Sequence, residues 1–260
     1  MTASDGAGRA AGSRHILVHP DGPVLAQAAA ARLVTKLVDV LAEQDEAHLV
    51  LTGGTIGIGM LAALGELPLR LAVDWSRVHL WWGDERFLPT GDPDRNETQA
   101  RDALLRVLAL DPGHVHAMPA TDGPDGGDAE AAAARYAAEL ARFAPAGADA
   151  PEFDVLLLGM GPDGHIASLF PEHPGTRETV PSAIPVYNSP KPPPTRISLT
   201  FRVIQAAREV WVIASGAEKA KPAALALSGT VEPTVIPAAG AHGTAATLWL
   251  LDRAGAAELD

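Results

Sequence analysis

The run LLLGMGPDGHIASLF, residues 156–170, breaks off an apolar segment with Gly159, Gly161, Asp163, Gly164 and His165. Histidine exchanges a proton near neutral pH without a large shift, and a neighbouring aspartate fixes its tautomer or orients a substrate. An Asx-type turn would account for Asp163-Gly164 but not for the histidine that follows. Glycines on either side of Met160 let something approach the backbone closely. A proton-transfer site at His165, with Asp163 beside it, is the preferred reading over a purely structural histidine.

Three other clusters have comparable character. In Thr52-Gly53-Gly54-Thr55, glycines between an apolar run and a helical pattern suit an anion cradled by backbone N–H groups, although a tight turn alone also accounts for them. The overlapping match of Gly57 to Ala62 with G-x-G-x-x-A is discounted, because its first glycine lies several residues past the strand end. In Gly83-Asp84-Glu85-Arg86, two carboxylates and a guanidinium follow an apolar run, with a surface ion pair as the plainer alternative. The loop 92–98 adds Arg95 and Asn96, the latter equally readable as a helix N-cap. Ser215-Gly216 leads into a helical pattern carrying Lys219 and Lys221.

Metal and nucleophile chemistries are weaker. His114 and His116 alternate as on one strand face, but no third ligand is in register and no H-E-x-x-H is present, so no zinc is expected. There is no G-x-S-x-G elbow, and Ser168 reads as a first-turn helix residue. The absence of cysteine excludes disulfides, thiolate metal sites and thiol nucleophiles.

Positioning these clusters requires strands that end where the polar residues begin. Apolar runs at 15–19, 47–54, 77–85, 153–159, 196–200, 209–214 and 246–252 alternate with helical patterns at 24–44, 96–108, 128–143 and from 217. Runs such as VLLLG and VWVIA are apolar on both faces, which predicts an open, mostly parallel α/β sheet with helices on both faces, a Rossmann-like three-layer sandwich. Ligands of such sheets sit beyond the carboxyl ends of the strands, where the four clusters fall. The Pro- and Gly-rich breaks at 121–129, 144–152 and 188–196 read as surface loops, leaving one domain over 15–260 after a disordered 1–14.

At 260 residues with a net charge of −12, the chain lacks the surplus of Lys and Arg that phosphate backbones demand, which argues against a nucleic-acid partner. No apolar run reaches membrane-spanning length and no signal-peptide core is visible, so no membrane partner and a cytoplasmic location are expected.

Taken together, TGGT, the Asp-Glu pair of WWGDERFLP, DPDRN, GMGPDGHIASLFP and SGAEKAKPAAL resemble the 6-phosphogluconolactonases, in the superfamily that also holds the glucosamine-6-phosphate deaminases. The resemblance runs from about residue 15 to 252, with the block from Gly159 to Pro171 its most specific part; Thr55-Ile56-Gly57 departs from the Thr-Pro or Ser-Pro helix start common in the family. It implies hydrolysis of 6-phospho-D-glucono-1,5-lactone with neither metal nor organic cofactor, by a monomer or small homo-oligomer. His165 would take the proton of an attacking water, Asp163 orient it or a sugar hydroxyl, and Arg86 stabilise the developing charge. Gly53, Gly54, Thr55, Lys219 and Arg196 would hold the phosphate and Asp84 face sugar hydroxyls. The alternatives are an amino-sugar phosphate deaminase or isomerase, and a sugar-phosphate-sensing module without turnover.

Overall fold

The computed structural model describes residues 12–259. Residues 1–11 of the expected disordered N-terminus lie outside that range, whereas Ser13 and Arg14 already belong to the first strand. Six strands form one parallel sheet in the order β1 (Ser13–His19), β9 (Ala246–Asp252), β8 (Glu209–Ala214), β5 (Val155–Gly159), β2 (Ala47–Leu51) and β3 (Val78–Trp82). This is the expected open α/β sheet. Strands β9, β8, β5 and β2 lie inside it, which explains why their runs are mostly apolar: Leu156, Leu157 and Leu158 are at most 1% exposed. Each such side chain contributes roughly 1.5–3 kcal/mol on leaving water.

Helices α1 (Gly22–Glu43) and α2 (Gly54–Glu66) pack on this sheet and on each other. Asp21 caps α1 by accepting the Val24 N–H at 2.9 Å, and the buried Leu25, Ala29, Leu33 and Leu37 recur every fourth residue to give α1 an apolar stripe. Helix α4 (Ala129–Arg142), capped by Asp128, buries Tyr136, whose hydroxyl accepts the Trp82 N–H and donates to the Trp82 carbonyl, both at 3.1 Å. It thereby satisfies the free edge of β3 just before the Asp84 cluster. Helix α3 is shorter than expected, Asn96–Ala103, followed by a separate 3-10 turn at Leu105–Val107.

The strand at 196–200 departs from the single-sheet expectation. It is β7 (Arg196–Leu199), which runs antiparallel between β4 (Asp84–Arg86) and β6 (Ala183–Val186) in a three-stranded sheet. The apolar run at 77–85 breaks at Gly83, where the chain leaves the parallel sheet for the antiparallel one. Helix α5 (Phe201–Ala206) and helix α6 (Ala220–Leu227), the latter preceded by a 3-10 turn at Ala217–Lys219, complete the α-helices among the described residues. No helix among the described residues is long and apolar enough to cross a membrane.

Candidate active site

From β2 the chain moves outward to β3, whereas from β5 it moves the other way through β8 to β9. Loops leaving β2 and β5 therefore diverge and open a crevice at the carboxyl ends of the strands, where α/β sheets bind ligands. A cleft of about 830 Å³ lies there. Gly159 N–H donates to Thr52 Oγ1 at 3.0 Å and ties the two strand ends together at its floor.

The N-termini of α1 and α2 and the 217–219 turn all reach this cleft, through Gly22, Gly54 and Lys219. Gly54 sits at φ +77°, and a Cβ on Gly53 would run into the carboxamide of Asn96. Both glycines are thus required by the turn itself. They leave the first-turn N–H groups of α2 and the Thr55 residue at the cleft wall, an arrangement that favours an anion. Gly57 lies inside α2 against Thr52, so the dinucleotide-type match is a helix-packing feature.

His165 reaches the same cleft from the loop after β5. Gly161 N–H donates to the His165 carbonyl at 2.9 Å and Gly164 N–H to the Gly161 carbonyl at 3.0 Å, closing a tight loop. A side chain at Gly161 would strike both the His165 ring and the Asp163 carboxylate, and Gly164 takes φ +79°. Asp163 Oδ1 lies 2.5 Å from His165 Nδ1, which fixes that nitrogen as the protonated one and leaves Nε2 without a protein hydrogen bond. Burial works to raise the Asp163 pKa, but the hydrogen bond and charge of His165, helped by Lys191, hold it down at about 2. The ring packs 4.5 Å from that of Phe170.

The Asp84-Glu85-Arg86 cluster separates into three roles, none of them a surface ion pair. Asp84 faces the cleft, with Oδ2 accepting the Ser168 hydroxyl at 2.6 Å and 3.8 Å from Arg196 Nη1. Glu85 is fully buried and accepts the N–H groups of Asn96, Glu97 and Arg86 at 2.6, 2.9 and 2.9 Å, capping α3. Burial pushes its carboxyl up to about 7 against the pull of Arg95 and those three N–H groups. Arg86 lines the cleft, its Nη1 donating to the Asp94 carbonyl at 2.6 Å. Asn96 is no N-cap: Arg95 holds that position, and the Asn96 carboxamide donates to the Asp84 carbonyl at 2.8 Å.

Lys219 also lines the cleft, 3.7 Å from Glu218. Arg196 also lines the cleft, but its guanidinium already donates to the carbonyls of Lys191, Pro192 and Pro193, so it is committed first to shaping that loop. The structure brings eight of the nine expected residues to the cleft wall and places the ninth, Asp163, behind His165. Ser168, expected in a helix, is instead buried in an irregular loop because its hydroxyl is drawn to Asp84. Sequence reasoning missed Lys191, an additional cation at the cleft; its signal was a lone lysine between prolines in a loop joining two apolar strands. His114 and His116 also differ from expectation: His114 ends a 3-10 turn, only Val115 bridges to β3, and both rings meet His79, His114 by stacking and His116 by a hydrogen bond.

Comparison with known proteins identifies the family and the fold. The family described as glucosamine-6-phosphate isomerases/6-phosphogluconolactonase matches residues 20–249. The chain is 61% identical over 246 residues to 6-phosphogluconolactonase of Streptomyces coelicolor, covering 94% of each, and 48% identical over 247 residues to that of Mycobacterium tuberculosis, covering 95% of this chain and 99% of the relative. Among solved structures, 6-phosphogluconolactonase from Trypanosoma brucei superimposes with a TM-score of 0.81 at 29% identity, over 95% of this chain and 99% of the other. A monomeric glucosamine-6-phosphate deaminase shares the fold with a TM-score of 0.76 at 20% identity, over 94% and 99% of the two chains. The chain belongs to the glucosamine-6-phosphate isomerase/6-phosphogluconolactonase family.

Proposed function

We propose that this chain is a 6-phosphogluconolactonase, a carboxylic ester hydrolase, and that His165 is its general base. The observation that carries the assignment of the base is the Asp163–His165 pair at 2.5 Å, on the wall of a cleft that the anion-favouring Gly53–Gly54–Thr55 turn also lines. The relatives at 61% and 48% identity support the substrate, 6-phospho-D-glucono-1,5-lactone.

Water attacks the lactone carbonyl carbon while His165 Nε2 removes its proton, and Asp163 steadies the resulting imidazolium. Arg86 stabilises the oxyanion of the tetrahedral adduct. Its collapse breaks the bond to the ring oxygen, which takes the proton back from His165 and leaves as the C5 hydroxyl of the open-chain acid. The Gly53, Gly54 and Thr55 turn with Lys219, Lys191 and the free face of Arg196 holds the phosphate, and Asp84 accepts sugar hydroxyls. Phosphate binding positions the carbonyl against the base, so remote binding energy serves the chemical step. The reaction needs no metal and no organic cofactor. The proposal carries with it a cytoplasmic enzyme, monomeric or in a small homo-oligomer, without nucleic-acid partners.

The test is initial-rate hydrolysis of freshly made lactone, corrected for spontaneous opening. His165→Ala is expected to lose kcat while Lys219→Ala mainly raises KM; a histidine variant of full activity would remove the mechanism. Ammonia release from glucosamine 6-phosphate would favour a deaminase instead.

A further inference from the structure

At the opposite, amino-terminal edge of the parallel sheet lies a second group of histidines that the proposed reaction does not use. His79 is the second residue of β3 and Asp84 follows five residues later, so about 16 Å of extended chain separates them. His79 is 1% exposed. Its Nδ1 lies 2.9 Å from His116 Nε2, and His116 Nδ1 lies 2.9 Å from Glu139 Oε1. A carboxylate only accepts, so His116 carries its proton on Nδ1 and, as a neutral ring, accepts through Nε2 from His79 Nδ1. The remaining nitrogen of His79, Nε2, is then a bare lone pair. It is buried without any hydrogen-bond partner.

That nitrogen faces Glu46, whose Oε2 is 3.3 Å away, so a lone pair and a carboxylate confront one another. The His114 ring stacks on His79 with centroids 3.8 Å apart, and its Nδ1 is also buried without a partner. One donor atom each from Glu46, His79 and His114 lie within 4.8 Å of one another. Three electron-pair donors crowded in this way repel unless a cation stands between them.

We propose that Glu46, His79 and His114 form a binding site for one divalent transition-metal ion of the zinc type, distinct from the lactone cleft. Two imidazoles and a carboxylate suit zinc, copper or nickel rather than magnesium or calcium. Tetrahedral zinc with bonds of about 2.1 Å needs its donors roughly 3.4 Å apart. Glu46, its side chain 52% accessible, already stands at that spacing from His79 Nε2, so a swing of the half-buried His114 ring closes the remaining gap while water completes the fourth position. The Glu139–His116 relay fixes the tautomer of His79, as an outer shell does for a ligating histidine. The ion would fasten the residues before β2 to β3 and to the segment at 112–114, so its role is structural.

The experiment uses full-length, tag-free protein stripped of metal, in a His165→Ala background so that the cleft histidine contributes nothing. Zinc uptake is measured by competition with a chromophoric chelator, and thermal midpoint is followed in parallel. The expected result is one equivalent bound, a raised midpoint with zinc and none with magnesium. Cobalt should give the intense visible bands of four-coordination. Glu46→Gln and His114→Ala, which change an exposed and a half-buried side chain, should each abolish the tight phase. Glu139→Gln should weaken it by about 10–100-fold. In the otherwise native chain, Glu46→Gln and metal stripping should leave lactone hydrolysis unchanged. No stoichiometric uptake, or uptake equal in Glu46→Gln, His114→Ala and their parent, would overturn the proposal.

Discussion

Two histidine–carboxylate contacts, one at each end of the parallel sheet, are nearly the same in length and opposite in consequence. At the carboxyl end, Asp163 holds His165 Nδ1 at 2.5 Å and the other nitrogen is left to the cleft. At the amino end, Glu139 holds His116 Nδ1 at 2.9 Å, but the other nitrogen is spent on His79 within the protein. Burial lowers the pKa of His116, with Glu139 pulling against it. A carboxylate behind a histidine is therefore no sign of catalysis. What separates the two is whether the second nitrogen meets solvent and substrate, and sheet topology decides that by opening its crevice only where the strands end.

The sharpest way to break this contrast is to remove each ring. His165→Ala should lower kcat by about 10²–10⁴-fold, the usual worth of a positioned base, with KM little changed. His116→Ala should leave kcat intact and appear only as a lower urea midpoint, because it strands His79 and Glu139. Equal kcat losses in the two variants would mean that the cleft does not define the reactive histidine.

The carboxylates come next. Asp163→Asn should reduce kcat by roughly 10–100-fold, or about 1.4–2.7 kcal/mol of barrier, since the imidazolium formed during attack loses its counter-charge. Glu139→Gln should leave steady-state rates unaltered. Lys219→Ala should act on binding instead, raising KM by about tenfold for one charge-assisted contact to phosphate, with kcat retained.

The sequence made the cleft half of this comparison legible and hid the other half. Gly159 to His165 stood out because two glycines serve a single loop, one avoiding the His165 ring and one taking a positive φ, and no apolar pattern accounts for them. The parallel strands were legible because inner strands are apolar on both faces. What escaped depends on contacts between distant segments. Lys191 enters the cleft from a loop far from the other cations in sequence. Ser168 is placed by Asp84, 84 residues away. The three short strands β4, β6 and β7 have three or four residues each, too few for a period to separate one sheet from two. His114 was paired with His116 by adjacency, although its metal-type partners Glu46 and His79 come from other elements.

The smallest expected effect concerns stability and pH. An Asp163 carboxyl ordinarily titrates near 3.8, and in the fold it is held at about 2. The folded state thus binds the proton more weakly than the unfolded chain, so Asp163 contributes stability above pH 3.8 that is lost as pH falls through about 2. Its side chain is about one-third exposed, 35%, and solvent screens the contribution. Urea unfolding of the native chain and of Asp163→Asn should therefore differ most at about pH 5 and converge as pH drops toward 2. A stability gap independent of pH would show that the fold does not hold Asp163 ionised. His165 would then lack the counter-charge that distinguishes it from His116, and the asymmetry between the two ends of the sheet would rest on access alone.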